Sequence, residues 1–133
     1  MWLIDTNVWL ERLLNQKKSE EVRQLIDNMP AEKLYITDFA FHSIGVILCK
    51  LSETETIRKF VQDIFIDGDV NYIHLQPEDT THLIDIMKQF KLDFDDAYQY
   101  VTAEKYGLTL VSFDTDFDRT ERGRKTPAEI IEI

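Results

Sequence analysis

Residues Leu92 to Arg119 read LDFDDAYQYVTAEKYGLTLVSFDTDFDR. Asp93, Asp95 and Asp96 open this stretch as a helix start, where carboxylates accept orphan backbone N–H groups and face the positive end of the helix dipole. Phe94, Ala97 and Val101 fall at i, i+3 and i+7 and predict a buried stripe. Gly107 is suited to the left-handed residue that ends a helix. Leu108 to Val111 then reads as a short strand buried on both faces, followed by Asp114, Asp116 and Asp118. A helix that begins with acids is thus followed by a strand that ends with acids. Parallel α/β sheets place ligand sites at the carboxyl ends of their strands, so this order predicts that the two acid groups meet.

The N-terminus repeats the arrangement. Trp2, Leu3 and Ile4 form a short apolar strand, and Asp5-Thr6-Asn7 leads into Val8-Trp9-Leu10. Asp5, Thr6 or Asn7 can simply cap the following helix. Alternatively Asp5 joins the acid pocket, with the Asn7 amide orienting a metal-bound water or a phosphate oxygen. A helix over Ser19 to Asn28 carries Val22, Leu25 and Ile26 inward and stops at Met29-Pro30. Leu34 to Ile36 is the next strand. Thr37-Asp38 caps a helix whose buried line is Phe41, Ile44, Leu48 and Leu51, with His42 and Gly45 on a neighbouring face. Cys49 in that helix is expected to be a small buried hydrophobe.

Ser52-x-x-Glu55 has the form of a capping box for a helix through Phe60, Ile64 and Phe65. Val70 to Leu75 is a further strand. Pro77, Glu78 and Asp79 open a helix that points Leu83, Ile84 and Met87 inward. Ile130-Ile131 after Pro127 is expected to be an edge strand. Strands separated by helices predict a three-layer α/β/α domain with a central, mostly parallel sheet spanning residues 1–133.

The remaining composition narrows the function. The chain has 133 residues, one cysteine and a net charge of −10. That size suits one domain, and the lone cysteine excludes an internal disulfide and fits a reducing cytoplasm. No apolar run reaches bilayer length, and no membrane association is expected. The acidity argues against broad electrostatic binding of nucleic acid, yet clustered carboxylates can hold cations that meet a phosphate. Four glycines and no GxGxxG, GxxxxGK or GxSxG exclude dinucleotide, P-loop and serine-hydrolase motifs. A phosphatase using Asp5 as nucleophile is disfavoured, because Asn7 stands where a second Asp is expected.

Asp5-Thr6-Asn7 after the first strand, Asp96-Ala97 at a helix start and Ser112-Phe113-Asp114-x-Asp116-Phe117 after the penultimate strand resemble the PIN domain. More narrowly they resemble the single-domain ribonucleases that are VapC-type toxins. The resemblance implies Mg²⁺ or Mn²⁺ held by acids and cleavage of single-stranded RNA. It implies a possible antitoxin protein as partner, and a homodimer in which Phe60 and Phe65 are candidate interface residues. By the motif, Asp5, Asp96 and Asp114 match metal-binding acids, Asp116 a further acid beside the metals, and Asn7 the supporting polar residue. Where the pattern has its second acid, a Glu, this chain has Phe41-His42-Ser43. His42 is the best match there and is assigned proton transfer or phosphate contact, with Asp38 one turn earlier. The departure leaves a second reading, a catalytically weakened module that binds RNA or a protein.

The chemistry of such a site follows from its charges. Two carboxylates ~4 Å apart repel by about 4 kcal/mol at an effective dielectric of ~20, so converging acids must take up protons or cations. Oxygen ligands without cysteine favour Mg²⁺ or Mn²⁺ over zinc. The basic segment Arg119 to Lys125 is the candidate phosphate contact or a solvated loop, and Tyr98 and Tyr100 are candidates for base stacking or for helix packing.

Overall fold

The structure is a computed structural model and describes residues 1–131. Its centre is a four-stranded sheet formed by β1 (Trp2–Ile4), β2 (Leu34–Thr37), β3 (Asn71–Ile73) and β4 (Thr109–Val111), in the order β3-β2-β1-β4. Every pair is parallel, with Leu3 opposite both Tyr35 and Leu110, and Ile36 opposite Tyr72. The helices are α1 (Thr6–Leu13), α2 (Ser19–Asn28), α3 (Asp38–Lys50), α4 (Thr54–Val61), α5 (Thr80–Phe90), α6 (Phe94–Tyr106) and α7 (Pro127–Ile131).

Successive strand residues point to opposite faces, and the core divides accordingly. Ile4, Leu34, Ile36 and Val111 pack with Val8, Trp9, Val22, Leu25, Ile44 and Leu48 from α1 to α3. Leu3 and Leu110 pack on the other face with Leu83, Ile86, Ala97, Tyr100 and Val101 from α5 and α6. This is the expected three-layer arrangement. Leu3 and Ile4 are both fully buried, although adjacent in sequence, because the strand has a helical layer on each side.

The chain moves from β1 through β2 to β3 on one side of the sheet, then places β4 on the other side of β1. The sheet order therefore reverses between β1 and β4, and a crevice opens beyond their carboxyl ends. The Asp5 backbone N–H donates to the Val111 carbonyl at 2.9 Å and locks those two ends side by side. Polar residues leave both strands there: Asp5 from β1 and Ser112 from β4.

Several local expectations are corrected. Ile130-Ile131 is helical, in α7, because Thr126 and Glu129 form the capping box. The Glu129 carboxylate accepts from Thr126 N–H at 3.0 Å and Glu129 N–H donates to Thr126 Oγ1 at 3.3 Å. The strand-like bridge beside β4 is instead made by Lys125 alone. Ser52 has φ 59° and belongs to the turn that ends α3, so it cannot cap α4. Cys49 is exposed, since the buried line of α3 is Ala40, Ile44 and Leu48 and the next residue turns about 100° away. Leu51 and Ile84 are likewise exposed. Phe94 lies outside the α6 stripe, exposed at the first residue of the helix, with its ring centroid 6.4 Å from that of Tyr98.

Candidate active site

The site begins with the caps of two helices at the crevice. Asp5 caps α1, its Oδ1 accepting Thr6 N–H at 2.8 Å. Asp93 caps α6 by accepting Asp96 N–H at 2.9 Å, which puts Asp96 in the first turn of that helix. After β4, Asp114 accepts Asp116 N–H at 2.8 Å and starts a single 3-10 turn over Thr115–Arg119. Carboxylate oxygens of Asp96, Asp114 and Asp116 thereby come within 4.8 Å of one another. This is the meeting of acids expected from the order of the elements.

Asp5 is almost buried and sits in a polar network. Ser112 Oγ donates to its Oδ2 at 2.7 Å and Gln99 Nε2 donates to its Oδ1 at 3.0 Å. Gln99 Oε1 accepts the Thr37 hydroxyl at 2.7 Å, and Thr37 Oγ1 in turn caps α3 by accepting Ala40 N–H at 2.9 Å. Asn7 joins from α1: its amide donates to Ser112 Oγ at 3.2 Å and accepts Phe113 N–H at 3.2 Å. Ser112 Oγ also accepts Asp114 N–H at 3.0 Å. The ends of β1, β2 and β4 and the middle of α6 are therefore joined by side chains, with no buried side-chain nitrogen or oxygen left unpaired among the described residues.

Electrostatics reflect this crowding. Burial pushes the Asp5 carboxyl above its ordinary range, against the lowering effect of the Ser112, Gln99 and Thr6 hydrogen bonds, and the Asp114 charge raises it further. Asp96 is pushed up to about 8, first by burial and then by repulsion from Asp114, Asp93 and Asp5. Without a cation the site holds a proton. The three clustered donors are all hard oxygens, and the counter-charge near them is the Arg119 guanidinium, 3.2 Å from Asp116. Such a donor set fits a divalent cation.

Asp5 and Asp96 line one hollow of about 250 Å³ with Asn7, Asp95, Gln99 and the α3 residues Phe39, Ser43 and Ile47. His42 does not join them. It is exposed and lines an adjacent hollow with Asp38, Val46 and Tyr98. One residue on a helix is about 100° of rotation, so Ser43, not His42, presents α3 to the acids. Asp38 is also turned aside, accepting the Tyr98 hydroxyl at 2.7 Å.

The family model of the PIN domain matches residues 2–123. The chain belongs to the PIN domain family. Solved structures share the fold of this PIN domain. A toxin–antitoxin complex from Klebsiella pneumoniae is 22% identical, with a TM-score of 0.75, and the match covers 96% of this chain and 98% of that one. A sarcin–ricin-loop-cleaving VapC toxin from Mycobacterium tuberculosis is 15% identical, with a TM-score of 0.76 and coverage of 89% and 93%. FitAcB from Neisseria gonorrhoeae is 20% identical, with a TM-score of 0.74 and coverage of 96% and 98%. No curated protein matches the sequence.

The basic segment of this PIN domain is engaged in structure, contrary to the expectation of a phosphate contact. Arg119 donates to the carbonyls of Phe90 and Lys91 at 3.1 and 2.6 Å, holding the left-handed end of α5, as well as to Asp116. Arg122 donates to the Leu108 carbonyl at 3.0 Å. Arg124 donates to the Ser112 carbonyl at 3.0 Å and to both oxygens of Asp118 at 3.2 Å. The tyrosines are engaged as well. Tyr100 is buried, and the Tyr98 hydroxyl accepts Leu75 N–H at 2.9 Å while donating to Asp38. Phe60 is in the core against Trp9, and half-buried Phe65 packs on Phe41, Phe60 and Tyr72. Neither is free interface material. No helix among the described residues is long and apolar enough to cross a membrane.

Gln99, Ser112 and Thr37 carry the network, and the motif reading assigned them no role. Ser112 lay within the quoted motif, and a hydroxyl directly after a buried strand was the available signal. Thr37 was read only as a helix cap. Gln99 gives a weaker signal, a polar residue between Ala97 and Val101 in a helix that also carries Asp95, Asp96, Thr102, Glu104 and Lys105.

Proposed function

We propose that this protein is a metal-dependent endoribonuclease that hydrolyses single-stranded RNA phosphodiesters and serves as the toxin of a toxin–antitoxin pair. The observation that carries this reading is the convergence of Asp96, Asp114 and Asp116 oxygens within 4.8 Å at the sheet's switch point. Membership of the PIN family, whose members are generally nucleases, supports it. So does the likeness in fold to a VapC toxin and to a toxin–antitoxin complex.

Asp96, Asp114 and Asp116 would hold Mg²⁺ or Mn²⁺, with Asp5, which shares a hollow with Asp96, as a further ligand. When bound, the ion supplies positive charge to the phosphoryl oxygen and acidifies a water for in-line attack. The chain's own residues prepare the place. Ser112 and Gln99 fix the Asp5 carboxylate, and Asn7 holds Ser112 and the Phe113 amide, so the acids are set before substrate arrives. Asp96, its carboxyl pushed up to about 8, would hold a proton near neutral pH in the metal-free protein and would have to release it for a cation to be held there. An antitoxin and a homodimer belong to the same reading, as does a cytoplasmic location.

A second reading, a PIN module with weakened catalysis that binds RNA or protein, is favoured by one observation. The face that α3 turns to the acids consists of Phe39, Ser43 and Ile47 and contains no carboxylate. One pair of measurements separates the two. Calorimetric titration with Mn²⁺ should show binding to the wild type and its loss in Asp96→Asn, and Asp5→Asn should abolish RNA cleavage. Full cleavage by Asp5→Asn in chelator overturns the metal-dependent mechanism at these acids. Mn²⁺ binding without any cleavage favours the weakened module.

A further inference from the structure

Of the fifteen Lys and Arg side chains of this acidic chain, six make ion pairs among the described residues, Lys125 with Glu129 being one, and Lys17, Lys18, Lys33, Lys50, Lys59, Lys88 and Lys91 make none. Arg23 pairs with Glu20 and Asp27, Arg58 with Glu55, Lys105 with Asp79, Arg119 with Asp116 and Arg124 with Asp118. Lys17 and Lys18 follow α1 and line a hollow of about 400 Å³ with Gln16, Phe113, Asn7 and Leu10. Asn7 and Leu10 also line the acid hollow, so the two share a wall. Lys18 Nζ stands 5.0 Å from the centroid of the Phe113 ring. Glu11, the acid of this second hollow, has its carboxylate turned to the Lys18 backbone N–H at 2.7 Å.

We propose that this hollow is a nucleotide subsite for single-stranded RNA, an inference that rests on the ribonuclease reading above. It takes the unpaired nucleotide next to the cleaved bond, with Lys17 and Lys18 on the flanking phosphates and Phe113 under the base. The net charge of −10 repels a polyanion, so the free cations beside the acids decide where the strand can lie. An ammonium on a flexible stem meets a phosphate as a point charge, without a fixed geometry. An exposed cation–π contact is weak enough for Lys18 to exchange the Phe113 ring for a phosphate, which uncovers the ring for a base. Stacking on a phenyl face accepts every base, so this subsite supplies affinity and position while leaving sequence choice to other contacts.

The test is anisotropy of a fluorescent single-stranded oligoribonucleotide, with Ca²⁺ as the divalent ion and salt varied. Lys17→Gln/Lys18→Gln should weaken binding about tenfold and flatten the slope of log affinity against log salt by about 1.4, the loss of two phosphate contacts. Phe113→Leu should weaken binding about tenfold and leave the slope unchanged. Lys33→Gln/Lys50→Gln, at the opposite end of the sheet, is the control for net charge and should change neither quantity. Unaltered affinity and slope in the first variant, with binding by the wild type, overturn the subsite and leave the nuclease standing. An equal loss in the control also overturns it, as a general charge effect. A wild type that neither binds nor cleaves RNA overturns both.

Discussion

Gln99 Nε2 lies 3.0 Å from Asp5 Oδ1, a contact across 94 positions of sequence that ties the middle of α6 to the end of β1. The same carboxamide accepts the Thr37 hydroxyl, so one buried side chain serves three elements. Gln99→Leu removes one of the two hydrogen bonds that Asp5 Oδ1 accepts and leaves the Thr37 hydroxyl proton without an acceptor in an almost closed interior. The expected cost is about 2–3 kcal/mol of stability, read as a lower midpoint in urea unfolding. An unchanged midpoint would remove Gln99 from the account of how Asp5 is held.

Asp96 makes the metal-free protein sensitive to pH. Its carboxyl is raised in the fold to about 8 from an ordinary 3.8, so the native state binds the proton more tightly than the unfolded chain. Its contribution to stability is complete below the unfolded value and is lost as pH climbs from about 4 through about 8. Melting in chelator should therefore fall across that range, and Asp96→Asn should flatten the fall. Since a cation must displace this proton, Mn²⁺ affinity should rise over the same interval, measurable by calorimetry.

Ser43 offers a gain-of-function test of geometry. It lines the acid hollow and His42 does not. Ser43→Glu adds a carboxylate to the wall that α3 presents and should raise Mn²⁺ affinity on the order of tenfold, since affinity follows the number of charged ligands. His42→Glu should leave it unchanged. The opposite ranking would mean that α3 is rotated relative to the acids.

Arg124 holds the other side of the site through the Ser112 carbonyl and Asp118, and its side chain is only 14% exposed. Arg124→Ala should destabilise by about 1–2 kcal/mol and lower cleavage, because Ser112 loses its backbone anchor. Arg124→Lys should not restore activity, since one ammonium cannot reproduce the fork that spans Asp118 and a carbonyl. Unfolding and cleavage rates of the two variants check this.

Much of this could be read from the chain itself. The strand-ending acids at Asp5 and Asp114, the α6 start at Asp93 to Asp96 and the Gly107 stop are local signals, and the structure keeps them all as caps or helix ends. Periodicity served less well in α6, where Ala97 and Gln99 through Ala103 are all buried and no single stripe exists. His42 against Ser43 turned on one residue of helical phase, finer than a motif spacing resolves. The arginines after β4 misled for another reason. Charge in a sequence does not tell whether a guanidinium ends at solvent or at a carbonyl, and here the carbonyls of Phe90, Lys91, Leu108 and Ser112 take them.

The pairing of β1 with β4 has a consequence for synthesis. The acidic centre joins residues made more than a hundred codons apart, for Asp5 meets Ser112 across 107 positions. A nascent chain on the ribosome can form its first helices, yet its acid cluster stays incomplete until β4 and the turn after it emerge beside β1. Products cut or terminated before β4 would lack Ser112, Asp114 and Asp116, so a truncated chain keeps its first helical layer and loses two of the three clustered acids.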